Sequence, residues 1–403
     1  MLFLDINDYE LSLRQSNTPV KTQPAAAAVI EGKLTFGRAA LLHSRSHPQH
    51  FNNKYLYSLA ADPISGDLNP AKNHADLIYH HLDQLELPAE EPLVFGVSGQ
   101  VTNTQLGLLL GICKEAKLDV HGFVDLGLAH ALGSVTNRST HVLDIELHRM
   151  TLSEVIVKGS TCSVSQCEAF DGVGVSNIIE GWMNVIADEF VQKTRFDPLH
   201  AGHTEQQLFD IVWQWLGDAP SITPRVSIHH GDANRDIELN QNLLISKLEQ
   251  RLEHIDLDHV GHLLVSPRVN SIPGIVDLIR NKVDHLQIVP ENSIEAGYTV
   301  LADLLEPNSV RRITAADIDS KHIQADVKTP KTTPKVTQPT HLLLGFVAKS
   351  ILDPTFVEFI DGETLNSRVA SCIINGVAGA GTTLCVGDSV FINGETHTAI
   401  RIE

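Results

Sequence analysis

Residues 140–157 read THVLDIELHRMTLSEVIV. With their flanks, from Val135 to Phe170, they predict two or three strands in succession, with Asp144 at the end of the first. The N-terminal run MLFLDINDYELSL, residues 1–13, is a second β-rich start and sets Asp5 in the same position. Between the two, LVFGVSG (93–99) predicts a buried strand, and TNTQLGLLLGICKEAKL (102–118) a helix with Thr102 and Gln105 as a capping box.

Beyond the second start, SNIIEGWMNVIADEFVQ (176–192) puts Ile178, Ile179, Trp182, Met183, Ile186 and Phe190 on one helical face, with Trp182 in the core. A helix-rich insert is expected next. It includes TEQQLFDIVWQWL (204–216), with Thr204 and Gln207 as a second capping box, and the amphipathic QNLLISKLEQRLEHI (241–255). Two strand, loop and helix units close this part, VGHLLVSPRVNSIPGIVDLIRNK (260–282), with Pro273 at a first helical position, and VDHLQIVPENSIEAGYTVLADLL (283–305). The order implies a duplicated α/β plan rather than one continuous doubly wound sheet.

The clearest boundary is DVKTPKTTPKVTQPT (326–340), where Pro, Thr and Lys alternate as in a stiff, solvated linker. It divides a two-lobed region 1–325, with lobes of about 1–140 and 141–325, from a small all-β module, 341–403. In that module HLLLGFVAK, TFVEFI, RVASCII and TTLCV predict strands, and Asn393-Gly394 joins SVFI to HTAIRI as a hairpin. Leu342, Leu344, Phe346 and Phe356 would either fill its core or line pockets for an extended peptide.

Composition narrows the function. The 403 residues are 42% apolar and 20% charged, an ordinary globular balance with room for two or three domains. A formal charge of -19 argues against nucleic acid and against docking on an anionic membrane. No apolar run approaches a spanning helix, and the acidic N-terminus is unlike a signal peptide, so a cytoplasmic protein is expected. Five cysteines without a Cys-X-X-Cys pair indicate packing residues; Cys162 and Cys167 suit no common zinc loop. Among the 21 histidines, His80 and His81 point apart on a helix, and these, His74 and the pair His229-His230 are expected to be solvated. GVAGAG (376–381) leads into a strand, not a helix N-terminus, and is read as a turn.

Across about residues 1–305 the order and wording resemble the superfamily of actin, sugar kinases and the seventy-kilodalton heat-shock chaperones, and are closest to the chaperone branch. MLFLDINDYELSL is similar to the first phosphate hairpin and THVLDIELHRMTLSEVIV to the second. GFVDLGLAHALGS (122–134) is similar to the connecting helix, IEGKLTFGRAALLHSRSHPQHF (30–51) to a glycine turn before a small-residue helix, HLLVSPRVNSIPGIVDLI (262–279) to the adenosine motif, and VPENSIEAGYTVL (289–301) to the final helix. The resemblance implies Mg²⁺ held through Asp5 and Asp144, a water-positioning carboxylate at Asp125, and ATP or ADP between the lobes.

The departures bear on function. Active members carry Asp-X-Gly in each hairpin because a phosphate must approach bare backbone N–H groups. Here the first hairpin has Asn7 at the glycine and Asp8 at the hydroxyl position after it, and the second has no glycine in its turn, with Glu146 where the first would stand and Leu147 next; Arg149 would either swing toward a phosphate or lie at the surface. The adenosine glycines become Ser266-Pro267, and Ser271 replaces an adenine-stacking Arg. Asp5 and Asp144 are thus either a residual metal and nucleotide site or strand-end carboxylates that accept turn N–H groups.

Three functions compete. The first is a chaperone-like scaffold with weak or no hydrolysis, binding protein or peptide through the β module or the interlobe surface, with ATP/ADP and Mg²⁺ or no cofactor. The second is an active ATP-dependent chaperone that controls the β module through the linker. The third, a small-molecule kinase, would draw its base from Asp125 or Asp171.

Overall fold

The computed structural model describes residues 1–15, 18–88, 91–134, 138–217, 220–305 and 309–317, and beyond them only short strands between residues 341 and 400. The protein is mixed α/β and divides into two compact units, Met1–Asp319 and Ser320–Glu403. Among the described residues no helix is long and apolar enough to cross a membrane.

The first unit opens on an antiparallel meander of β1 (Leu2–Ile6), β2 (Glu10–Gln15) and β3 (Lys21–Pro24). β4 (Ala27–Ile30), β5 (Lys33–Phe36) and β6 (Phe51–Asn52) form a separate small sheet, with α1 (Gly37–Leu41) between the last two strands. Strand and helix then alternate through α2 (His74–Gln84), β7 (Leu93–Val97), α3 (Asn103–Glu115), β8 (Val120–Asp125) and α4 (Leu126–Gly133). β7 lies parallel to β1 and β8 parallel to β7, giving the order β3-β2-β1-β7-β8. All five residues of β1 are buried, as expected of a central strand covered on both faces. The capping box of α3 forms, Gln105 N donating to Thr102 Oγ1 at 3.3 Å and Thr102 N to Gln105 Oε1 at 3.0 Å.

The same order recurs. β9 (Thr140–Ile145), β10 (Arg149–Lys158) and β11 (Thr161–Asp171) form a second antiparallel meander. α5 (Val175–Thr194), α6 (Gly202–Gln214), the hairpin β12 (Arg225–His230) and β13 (Ala233–Glu238), and α7 (Gln241–Leu252) follow. The chain returns through β14 (His262–Val265), the short α8 (Pro267–Asn270) and α9 (Ile275–Arg280), β15 (His285–Ile288) and α10 (Ser293–Ala302). β14 pairs parallel with β9 and β15 with β14, giving β11-β10-β9-β14-β15. Trp182 is fully buried with the rest of the predicted α5 face, and its Nε1 donates to the Leu244 carbonyl at 2.9 Å.

Two features tie the sheets together. α4 and α10 pack closely: a Cβ on Gly133 would lie 2.1 Å from the Ser293 carbonyl oxygen, and one on Gly297 2.0 Å from that of Ala129. Only glycine permits that approach. Farther along, β16 (Arg312–Ile313) extends the first sheet beside β8, and β17 (Ala315–Asp317) extends the second beside β11.

Four expectations need correction. The insert contains the β12–β13 hairpin as well as helices. Thr204 does not cap α6, which begins at Gly202 after Ala201; its hydroxyl instead donates to the Pro198 carbonyl at 2.7 Å. Pro273 precedes α9, whose N-cap is Gly274, and Pro267 instead opens the helix before it. His81 is buried, stacked on Phe36 and bonded to the Tyr55 hydroxyl at 2.7 Å, and burial lowers its pKa to about 3.

In the second unit, β18 (His341–Leu344), β19 (Val347–Ser350), β22 (Ile373–Ile374), β23 (Val377–Ala378), β24 (Ser389–Ile392) and β25 (Glu395–Ile400) make one sheet, ordered β19-β18-β25-β24-β22-β23. β20 (Ile360–Asp361) and β21 (Arg368–Val369) pair separately. Ile392 lies opposite Glu395 across β24 and β25, as a hairpin through residues 393–394 requires, although those two lie outside the described residues. So do the linker 326–340, the run 382–386 and most of 376–381. Leu342 is buried; the side chains of Leu344, Phe346 and Phe356 lie outside the description.

Candidate functional site

Asp5 and Asp144 are each the penultimate residue of the central strand of their sheet, β1 and β9. Both are buried, and between them lies Arg268, carried by the short α8 directly after β14. Its Nη2 donates to Asp144 Oδ2 at 2.6 Å and its Nε to Asp144 Oδ1 at 3.1 Å, while its Nη1 stands 3.9 Å from Asp5 Oδ2. This two-pronged contact is the strong form of a guanidinium–carboxylate pair.

The local fold fixes Arg268 there. Ser266 Oγ accepts from Val269 N at 3.2 Å and so caps α8, and Pro267 takes its first position. The same hydroxyl donates to Asp144 Oδ1 at 2.6 Å, and the Ser271 hydroxyl donates to the Arg268 carbonyl at 2.6 Å. The positions expected to contact adenosine therefore build a cap that presents an arginine.

Asp144 also accepts from Ile145 N at 2.9 Å. Burial alone would raise its pKa, but Arg268 and the Ser266 hydroxyl hold it below the ordinary carboxylate range. Asp5 is served less fully. Tyr298 Oη donates to its Oδ1 and Arg14 Nε to its Oδ2 at 3.3 Å, and Arg14 turns its Nη2 to Glu291 at 2.5 Å. Burial raises the Asp5 pKa against the pull of both arginines.

Asp125 is likewise engaged. Its Oδ1 caps α4 by accepting from Gly127 N at 3.0 Å, and its Oδ2 accepts from Arg312 Nη2 at 2.6 Å. Arg312 donates as well to the carbonyls of Ser98 and Val101. Asp171, by contrast, ends β11 and is exposed.

The two hairpin turns meet through Asn7 and Asp8. Asn7 Nδ2 donates to the Ile145 carbonyl at 3.1 Å, its Oδ1 accepts from Tyr9 N at 2.8 Å, and Asp8 Oδ1 accepts from Leu147 N at 2.5 Å. Burial, and then the neighbouring Glu146, push the Asp8 pKa up to about 8. Glu146 is raised by burial too, although Arg149 Nε donates to its Oε2 at 2.7 Å. Arg149 also lies over the Tyr57 ring at 5.0 Å, so it is not poised to swing outward.

Beside this cluster is a cavity of about 450 Å³ lined by Tyr9, Glu10, Arg14, Arg268, Ser271 and Glu291 among others. Burial, opposed by Arg268, raises Glu10 to about 7. The donor set does not suit Mg²⁺ with a nucleotide: both Asp144 oxygens and both Asp5 oxygens already face donors of the chain, and a side chain fills each place where phosphate needs bare backbone. Among the described residues no group of three or more His, Cys, Asp or Glu could hold a metal.

Reading the sequence for nucleotide chemistry singled out the carboxylates and passed over Arg14, Arg268, Arg312 and Tyr298. The available signal was Arg268 itself, a lone cation in the apolar run LLVSPRVNSI at the end of a strand. No family model matches the chain, and no curated protein matches it.

Proposed function

We propose that the first unit is a divergent member of the actin and heat-shock-chaperone ATPase fold whose nucleotide site has become an internal ion-pair network. In this reading the chain is a chaperone-like protein-binding scaffold or assembly factor with weak or no ATP hydrolysis, acting in the cytoplasm. The fold assignment is supported by two sheets of one strand order, each with its Asp before the first hairpin turn, and by the close packing of α4 and α10. One observation carries the function: Asp5, Asp144 and Asp125, the three carboxylates the fold would use on Mg²⁺ and water, are each held by an arginine of the same chain.

Arg268 would do structurally what a bound cation does in an active relative, neutralising two facing carboxylates at the base of the lobes. Held this way, the lobes serve as a fixed surface, and partner binding falls to the interlobe face or the C-terminal β module. Thermal-shift titration of the full chain with ATP, ADP and Mg²⁺ tests the reading. No stabilisation at millimolar Mg·ATP is expected, because a ligand at 100 times its dissociation constant stabilises by about 2.7 kcal/mol. Micromolar binding abolished by Asp5→Ala would overturn it.

A further inference from the structure

His229 and His230 are neighbours in sequence, but the fold gives His230 a histidine partner from another element. Gln207, on the second turn of α6, holds the edge of β12 as an adjoining strand would. Its Oε1 accepts from His229 N at 2.8 Å and its Nε2 donates to the His229 carbonyl at 2.9 Å. His203 lies four residues earlier on α6 and so on the same helical face as Gln207. This clamp sets His230, the last residue of β12, against His203. His203 Nε2 and His230 Nδ1 are 3.3 Å apart, and the Phe196 ring backs His230 at 5.2 Å.

Two imidazole nitrogens face each other in this way around a shared proton or a shared metal ion. The ring centres are 5.4 Å apart and the planes differ by 16°, so the rings meet edge to edge rather than face to face. The 3.3 Å gap is longer than the about 2.7–3.2 Å of an ordinary N–H···O bond. It matches the about 3.3–3.4 Å between two nitrogens on one tetrahedral ion with Zn–N bonds of about 2.0–2.1 Å. Both side chains are exposed, and the broad χ2 torsion of histidine lets each ring turn its lone pair onto a common ion at little cost. Imidazole suits Zn²⁺, Ni²⁺ and Cu²⁺, whereas Mg²⁺ and Ca²⁺ take oxygen ligands. With two protein ligands, water fills the remaining positions.

We infer that His203 and His230 form a two-histidine site for a divalent transition-metal ion, which ties the β12–β13 hairpin to the first turn of α6. Neither residue lines the cavity beside Arg268, so the site stands apart from the nucleotide question.

Calorimetric titration of Zn²⁺ into the chelator-treated full chain tests it, with His203→Asn, His230→Asn, the double variant and, as a control, His229→Asn. All three side chains are exposed, so each variant should fold as the wild type does. The chain has 21 histidines, and the readout is therefore the number of Zn²⁺ equivalents lost. His203→Asn and His230→Asn should each lose one equivalent, or bind it at least about tenfold more weakly. The double variant should lose the same single equivalent, and His229→Asn none. Absence of Zn²⁺ binding by the wild type below about 1 mM overturns the inference. So does an unchanged titration for either single variant, a loss of two equivalents in the double variant, or an equal loss in His229→Asn.

Discussion

Asp5 and Asp144 occupy equivalent strand positions in two sheets of the same order, and their surroundings push them in opposite directions. Asp144 receives both prongs of Arg268, a serine hydroxyl and a turn N–H, and its pKa falls. Asp5 shares one arginine with Glu291 and meets the other at 3.9 Å, and its pKa rises. Burial is common to both. What separates them is the number and aim of the charged donors, and that depends on α8 standing directly after β14 while Arg14 reaches across from β2.

That contrast ranks the variants. Arg268→Met leaves Asp144 buried without its cation and should cost about 3–5 kcal/mol in chemical denaturation. Arg312→Met removes a charged contact from Asp125 but leaves its helix cap, and about 1.5–3 kcal/mol should be lost. Arg14→Met should cost less, about 1–2 kcal/mol, since Asp5 keeps Tyr298 and Arg14 meets it through one contact at 3.3 Å. Equal losses for Arg14→Met and Arg268→Met would erase the distinction between the two aspartates.

Asp8 sharpens the comparison through pH. Its folded pKa, about 8, lies above the ordinary 3.8, so the folded chain binds the proton more tightly than the unfolded one. The stability it contributes is complete below about pH 4 and is lost as the pH rises through about 8. Asp8→Asn mimics the protonated form and should flatten the fall in stability between about pH 5 and 9, measured by urea unfolding across that range. An unchanged slope would place the titration elsewhere. The smallest effect is expected far from the site: Thr102→Ala breaks the α3 capping box and should cost about 1 kcal/mol.

Much of the fold was legible in the sequence. Local signals marked β7, α3, α5 and the two β-rich starts, because a buried apolar run, a capping box and a 3.6-residue stripe are written in neighbouring residues. The β12–β13 hairpin was not, for its strands, RVSIHH and ANRDIE, carry one or two buried apolar residues each. The loss of bare backbone in the turns could be read from Asn7, Asp8, Glu146 and Leu147 directly. Where those side chains go could not: Asn7 and Asp8 bond residues 138 and 139 positions away, and Arg268 meets Asp144 across 124. Charge pairing across such separations leaves no periodic trace.

The proposed function turns on the buried pair of Arg268 and Asp144. A double-mutant cycle on Arg268→Met and Asp144→Leu, read by urea unfolding at pH 7, tests it most directly. The account predicts that each single variant is destabilised by several kcal/mol and that the double variant loses about 2–3 kcal/mol less than the sum of the two. Additive losses, with coupling below about 0.5 kcal/mol, would contradict it.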